Sequence, residues 1–199
     1  MPEPTTLRAL ADLPQQPVSL AESTLILIDC QNTYTQGVME LEGVQAALDE
    51  TAALLDRART IGIPVIHIQH DDGPDSLYDI GADIGAIVDR VAPRGDESVI
   101  VKQFPNSFVQ TDLDARLKAL GASNLVLAGF MTHMCVNSTA RGAFSLGYAP
   151  TVVAAATATR TLAGPDGQPV PAAALQAASL AGLADLVAVV APDAAAIPD

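Results

Sequence analysis

Short apolar runs alternate along this chain with stretches whose apolar residues recur at helical spacing. Thr24 to Asp29 (TLILID) is a continuous apolar run, the pattern of a strand buried on both faces. From Val44 the period changes: Val44, Ala47, Leu48, Thr51, Leu54, Leu55 and Ala58 fall on one helical stripe, with Gly62 as a C-terminal cap. Pro64 to Gln69 (PVIHIQ) and Ser98 to Lys102 (SVIVK) predict a second and a third strand. TDLDARLKALG predicts a helix, with Thr111 or Asp112 near its N-cap and Gly121 beyond its end. NLVLAG, from residue 124, is a fourth strand, and Cys135 to Leu146 is a helix stopped by Gly147. PTVVAAA, the helical PAAALQAASLAGLA and DLVAVV complete the pattern with a fifth strand, a helix and a sixth strand.

Apolar strands alternating with amphipathic helices imply a parallel sheet covered on both faces. The expected fold is α/β: a three-layer, Rossmann-like, doubly wound and mainly parallel six-stranded sheet. Two segments break the rhythm. Residues 1–22 carry four prolines in the first twenty positions and read as an extended arm, suited to clasping a neighbouring subunit. Residues 70–97 are rich in Gly, Asp and Pro with little periodicity, which inside a compact domain marks a functional loop or lid. Residues 23–199 read as a single domain.

Composition narrows the function classes. The chain has 199 residues, is 49% apolar and only 4% aromatic, and lacks Trp, so aliphatic side chains must fill its core. Its formal charge of −13 disfavours nucleic acid and anionic membranes as partners. The two cysteines, Cys30 and Cys135, are too few for a disulfide scaffold, and no Cys/His cluster suggests zinc. The first residues lack a basic region followed by an apolar one, and no long uncharged apolar stretch suggests a membrane span. The cytoplasm is the expected location.

In doubly wound sheets ligands bind beyond the carboxyl ends of the strands. Strand one ends in Asp29, strand three in Lys102, and strand four runs into GFMTHMC, with Cys135 opening a helix. A carboxylate, an amine and a thiol are thus expected at one sheet edge. A thiolate is the reactive form of cysteine, and a helix start and a nearby ammonium both favour it. An Asp can take the thiol proton and return it to a leaving amine. The Cys135 N–H is one natural oxyanion donor. Cys30, next to Asp29, alternates to the opposite face and reads as core.

LILIDCQNTYTQG, VIVKQFPNSF and GFMTHMCVNSTARGAFSLGY resemble the isochorismatase-like cysteine hydrolases, relatives of nicotinamidase and N-carbamoylsarcosine amidase. The resemblance runs from about Ser23 to Val190. It implies a catalytic triad of Asp29, Lys102 and Cys135. It also implies a cis peptide at Phe130–Met131 that aims the Met131 N–H at the same oxyanion as the Cys135 N–H. The implied reaction is hydrolysis of a C–N amide or ureido bond through a thioester.

Two departures from relatives narrow this further. Nicotinamidases bind a metal through an Asp-x-His and a further His after strand two; here His67 and His70 lie three apart in VIHIQHDDG, so no metal and no cofactor are expected. His67 reads as strand packing, and His70 as pocket lining or bonded to backbone. True isochorismatases, which hydrolyse a vinyl ether, lack the cysteine. Asn32, Tyr34, Phe104, Asn106, Phe108, Thr132 and His133 lie beside the triad motifs and join His70 as pocket candidates. Few of them are charged, which favours a small, neutral, polar amide or ureide. The resemblance also implies a homo-oligomer, a dimer or tetramer. The alternatives are a catalytically silent binding or regulatory protein on the same fold, and a nicotinamidase-type metal-assisted amidase. A nucleotide-binding oxidoreductase is disfavoured because DCQNTYTQG, after strand one, offers no glycine-rich phosphate cradle.

Overall fold

A computed structural model describes residues 5–199. In chain order its elements are α1 (Leu7–Leu10), β1 (Ser23–Ile28), α2 (Val44–Ile61), β2 (Val65–His70), β3 (Ser98–Lys102), α3 (Leu113–Ala119), β4 (Asn124–Phe130), α4 (Asn137–Ser145), β5 (Ala149–Ala158), β6 (Leu162–Ala163), β7 (Pro169–Val170), α5 (Ala172–Ala184) and β8 (Val189–Ala191). Six strands form one sheet in the order β3-β2-β1-β4-β5-β8, with every pair parallel. The chain starts in the middle, winds outward through β2 and β3, then returns to wind the other way through β4, β5 and β8.

Alternation along each strand divides the interior in two. Leu25 and Leu27 of β1, with Val126, Ala128 and Phe130 of β4, pack under the buried stripe of α2 (Val44, Ala47, Leu48, Leu54, Leu55, Ala58). Ile26 and Ile28, with Leu125 and Leu127, face the other way, against Leu113 and Leu117 of α3, Ala140 and Ala143 of α4, and Leu183 of α5. This is the three-layer, doubly wound architecture expected from the unbroken apolar runs. Burying each Leu or Ile fully contributes roughly 1.5–3 kcal/mol.

Four details depart from the expectation. Residues 5–22 are not a continuous extended arm: Thr6 caps the single-turn α1, and the guanidinium of Arg8 donates to the carbonyls of Pro14 and Leu186. The segment therefore lies against its own body, because a buried cation recruits buried carbonyls. The helix expected from Cys135 begins as a π-helical turn over Thr132–Val136, and α4 proper starts two residues after the cysteine. A short antiparallel hairpin, β6–β7, forms around GPDGQ; its two-residue strands are too short to register as a pattern. Finally, the sixth strand pairs only over Val189–Ala191, although Val187 and Ala188 before it are buried. The connection from β2 to β3 holds two 3₁₀ turns and no α-helix. It packs on the α2 side, where Val91 joins the core.

Candidate active site

The ends of four neighbouring strands build the site. β1 ends at Ile28, and Asp29 turns out of the strand with φ of 49°, a left-handed conformation that Asp tolerates better than most side chains. Gly129, the β4 partner of Ile28, has φ of 114°, and a Cβ there would stand 2.0 Å from the Ile28 carbonyl oxygen. Two strands can kink side by side at this height only because one of them carries glycine. Just beyond, the Phe130–Met131 peptide is cis, and the chain enters the π-helical turn that holds Cys135.

Lys102 ends β3, two strands away from β1, a span of about 9.6 Å at the usual strand spacing. Its side chain crosses β2 to reach the site. There Nζ lies 2.7 Å from Asp29 Oδ2, 3.4 Å from Cys135 Sγ and 3.1 Å from His70 Nδ1. His70 and Lys102 are Cα partners in the β2–β3 register, which sets their side chains alongside one another. His70 Nε2 in turn faces Asp72 Oδ1 at 3.2 Å. The Asp29 and Lys102 side chains are wholly buried, and Cys135 is 5% exposed. The Lys102–Asp29 contact is an ion pair whose angle is off hydrogen-bond alignment, so neither carboxylate oxygen has an aligned donor among the described residues.

Burial governs the electrostatics. It pushes the Asp29 carboxyl above the usual range, and the Lys102 ammonium offsets only part of the shift. The Cys135 thiol is also pushed up, by burial and then by the Asp29 charge, with Lys102 opposing. Burial therefore favours the protonated thiol. Desolvation opposes the helix start and the ammonium, which favour a thiolate. Cys30 is likewise raised by burial, and it packs in the α2-side core while Cys135 lies on the other side of the sheet. Both thiols are free.

The pocket candidates divide. Tyr34 is buried with its hydroxyl 3.2 Å from that of Tyr78, and its own ionisation is pushed up by burial and by the charges of Asp29 and Cys135. Its ring meets Phe130 edge-on at 5.8 Å. Thr132 is fully buried with Oγ1 unpartnered among the described residues. His133 is half-buried against Thr159, and burial together with Arg160 lowers its pKa. The other four turn to different partners. Asn32 Nδ2 donates to the Asp83 carbonyl at 2.8 Å, and Phe104 is exposed. Asn106 packs on Gly142 of α4, and Phe108 stacks on Tyr148 at 5.9 Å. After Lys102 the chain leaves the sheet edge and crosses to α4, where Ser107 bonds to Thr139.

Three contributors escaped the sequence reading. Tyr78 stands edge-on to His70 with ring centroids 4.8 Å apart. It is the one Phe, Tyr or Trp between residues 70 and 97, a signal that could have singled it out. Gln31 is fully buried; its Nε2 donates to the carbonyls of His70 and Gly85, and its Oε1 accepts the His70 N–H. Asp72 orients His70. His67 is held elsewhere: its Nε2 lies 2.9 Å from Glu97, which the Arg59 guanidinium holds down to about 2. No group of three or more His, Cys, Asp or Glu side chains is gathered around a metal-sized space among the described residues.

Residues 23–193 match the isochorismatase domain. The structure of an isochorismatase from Pseudomonas putida KT2440 is 38% identical, superposes with a TM-score of 0.94, and covers 98% of this chain and 99% of that one. The streptothricin hydrolase of Streptomyces noursei is 36% identical over 179 residues, 87% of this chain and 63% of its own length. A ureidoacrylate amidohydrolase of Stutzerimonas stutzeri is 31% identical over 185 residues, 73% of this chain and 75% of its own. With the domain matched across most of its length, this chain belongs to the isochorismatase family.

Proposed function

We propose that this protein is a cysteine-dependent hydrolase of a C–N amide or ureido bond in a small neutral molecule, with Asp29, Lys102 and Cys135 as its catalytic residues. One observation carries the reading: a buried ammonium lies 2.7 Å from a carboxylate oxygen and 3.4 Å from a thiol. Asp29 takes the thiol proton as Cys135 attacks the carbonyl carbon. The oxyanion is met by the N–H groups of Met131 and Cys135. Asp29 then protonates the departing amine or ammonia, leaving a thioester. Water, deprotonated by Asp29, hydrolyses the thioester and releases the acid, and the proton returns to sulfur. Lys102 keeps Asp29 ionised and offsets the charge that builds on sulfur. A raised carboxyl pKa suits a group that must alternate between base and acid.

The hydroxyls of Tyr34 and Tyr78 supply neutral polar contacts, in keeping with an uncharged substrate. A vinyl ether is cleaved by protonation and has no carbonyl for the thiol to attack, so the thiol favours an acyl substrate. The same reading takes the protein as cytoplasmic and as a dimer or tetramer. In support of self-association, α5 carries no charged side chain, and only Ala172 and Leu183 of its residues are buried.

The test is ammonia release across a panel of uncharged amides and ureides, by wild type, Cys135→Ala and Cys135→Ser. At least one substrate is expected to turn over in wild type and in neither variant, with an acyl adduct on Cys135 detectable by mass spectrometry. Hydrolysis that survives Cys135→Ala overturns the thiol mechanism.

A further inference from the structure

Among the described residues three polar groups surround the Lys102 ammonium. Two belong to the triad already proposed. The third is His70 Nδ1, 3.1 Å away, on the strand between Lys102 and Asp29. An ammonium can only donate, so Nδ1 must be the unprotonated nitrogen of the ring. That places the imidazole proton on Nε2, which faces Asp72 Oδ1 at 3.2 Å. Backbone bonds fix the base of the side chain: Gln31 grips the His70 N–H and carbonyl, and Tyr78 packs edge-on against the ring.

We infer that His70 is a positioning residue that holds the Lys102 ammonium between Asp29 and Cys135, and that it does so only while its ring is neutral. The inference rests on the proposed roles of Asp29, Lys102 and Cys135. A protonated His70 has a donor where Lys102 needs an acceptor, and sets a second cation 3.1 Å from the first. The ammonium must then turn or withdraw, and its contacts to the carboxylate and the sulfur go with it. The chargeable groups facing the ring are Lys102 from β3, Asp72 and Tyr78 from the β2–β3 connection, and Asp29 beyond β1, with Cys135 behind Lys102. Asp71 is turned away, its carboxylate accepting the Gly73 N–H. Asp72 favours the protonated ring, Lys102 opposes it, and Tyr78 is neutral. His70 thus adds its own contribution to the acid limb that protonation of Asp29, as the base, already gives the site.

The experiment compares wild type, His70→Asn, His70→Leu and Asp72→Asn by two readouts between pH 5 and 9. One is the rate of Cys135 alkylation by iodoacetamide, followed by mass spectrometry. The other is kcat/KM on whichever amide or ureide turns over. Asn offers a carbonyl oxygen near the position of Nδ1 and does not titrate; Leu offers no acceptor. His70→Leu is expected to lose roughly tenfold to a hundredfold at the plateau, the value of one hydrogen bond to a charged group. His70→Asn is expected to stay at least several-fold above Leu and to show a shallower acid limb than wild type. Asp72→Asn should move that limb to lower pH. Equal rates for the Asn and Leu variants, or an acid limb in His70→Asn that matches wild type in both steepness and position, overturns the inference. If His70→Leu does not fold, the pH profile of His70→Asn decides. If no amide or ureide is hydrolysed, the functional reading fails, while the alkylation profiles still report on the coupling of His70 to Lys102. If hydrolysis is robust and the His70→Asn profile is unchanged, only this inference falls.

Discussion

Replacing Lys102 with Met removes the cation and keeps most of the side-chain volume. Asp29 is then left wholly buried, and both its oxygens already lack an aligned donor. At 2.7 Å and an effective dielectric of about 20, the lost attraction is about 6 kcal/mol, most of which offsets the cost of desolvating the two ions. Breaking one side of such a pair costs roughly 3–5 kcal/mol, a large part of the about 5–15 kcal/mol that holds a typical domain folded. For a chain of this size that corresponds to a drop in Tm of roughly 6–20 °C. The loss should depend on pH, with a sign that follows from Asp29. Its folded pKa lies above its unfolded one, so the penalty is absent below the unfolded value of about 3.9 and grows as pH rises to the folded value. Without Lys102 the folded pKa rises further and the window widens. Urea unfolding at pH 5 and pH 8 should therefore show Lys102→Met much weaker at pH 8 and closer to wild type at pH 5. Adding Asp29→Asn should recover most of the stability at pH 8 while hydrolysis stays lost. An equal loss at both pH values, or a double variant no more stable than the single, refutes the reasoning.

Gly129→Ala puts a methyl group 2.0 Å from the Ile28 carbonyl oxygen at φ of 114°, so the variant should lose at least about 3 kcal/mol or fail to accumulate as folded protein, as read by thermal melts. In native protein, iodoacetamide should label Cys135 at a rate that rises with pH, because burial and Asp29 keep the thiol protonated, while Cys30 should react only on unfolding; peptide mass mapping separates the two. Tyr78→Phe removes the hydroxyl that meets Tyr34 and leaves the ring on His70. It should raise KM several-fold with little change in stability, and unaltered kinetics would remove Tyr78 from the substrate site.

The sheet was legible because buried parallel strands announce themselves as unbroken apolar runs, and TLILID and NLVLAG have no alternative use in a soluble fold. The meeting of Asp29, Lys102 and Cys135 was legible for a related reason: each interrupts or follows such a run at the carboxyl end of a strand. Phe104, Asn106 and Phe108 follow Lys102 closely in the chain, yet Phe104 is exposed, Asn106 lies on Gly142 and Phe108 on Tyr148. Position in a strand constrains where a side chain goes, whereas position in a loop does not. Tyr78, Asp72 and Gln31 were hidden by the same rule. Two come from a segment without periodicity, and the third sits beyond the strand, where alternation has already failed at the positive φ of Asp29. The thiol's protonation state also lay beyond the sequence, since it depends on how completely water is excluded.

The chain just past Asp29 also fastens the β2–β3 connection. Gln31 bonds to Gly85, Asn32 to Asp83 and Ala86, and the Cys30 carbonyl to the Val88 N–H. Lifting residues 83–88 would tug directly on the backbone just past Asp29, so that portion cannot move without disturbing the carboxylate's placement. The stretch from Gly73 to Gly81 is bound mainly to itself, through turns closed by Asp79 and Ser76. Within it Tyr78 alone reaches the side chains of Tyr34 and His70, so its other positions can exchange side chains at little cost as long as that ring stays in place.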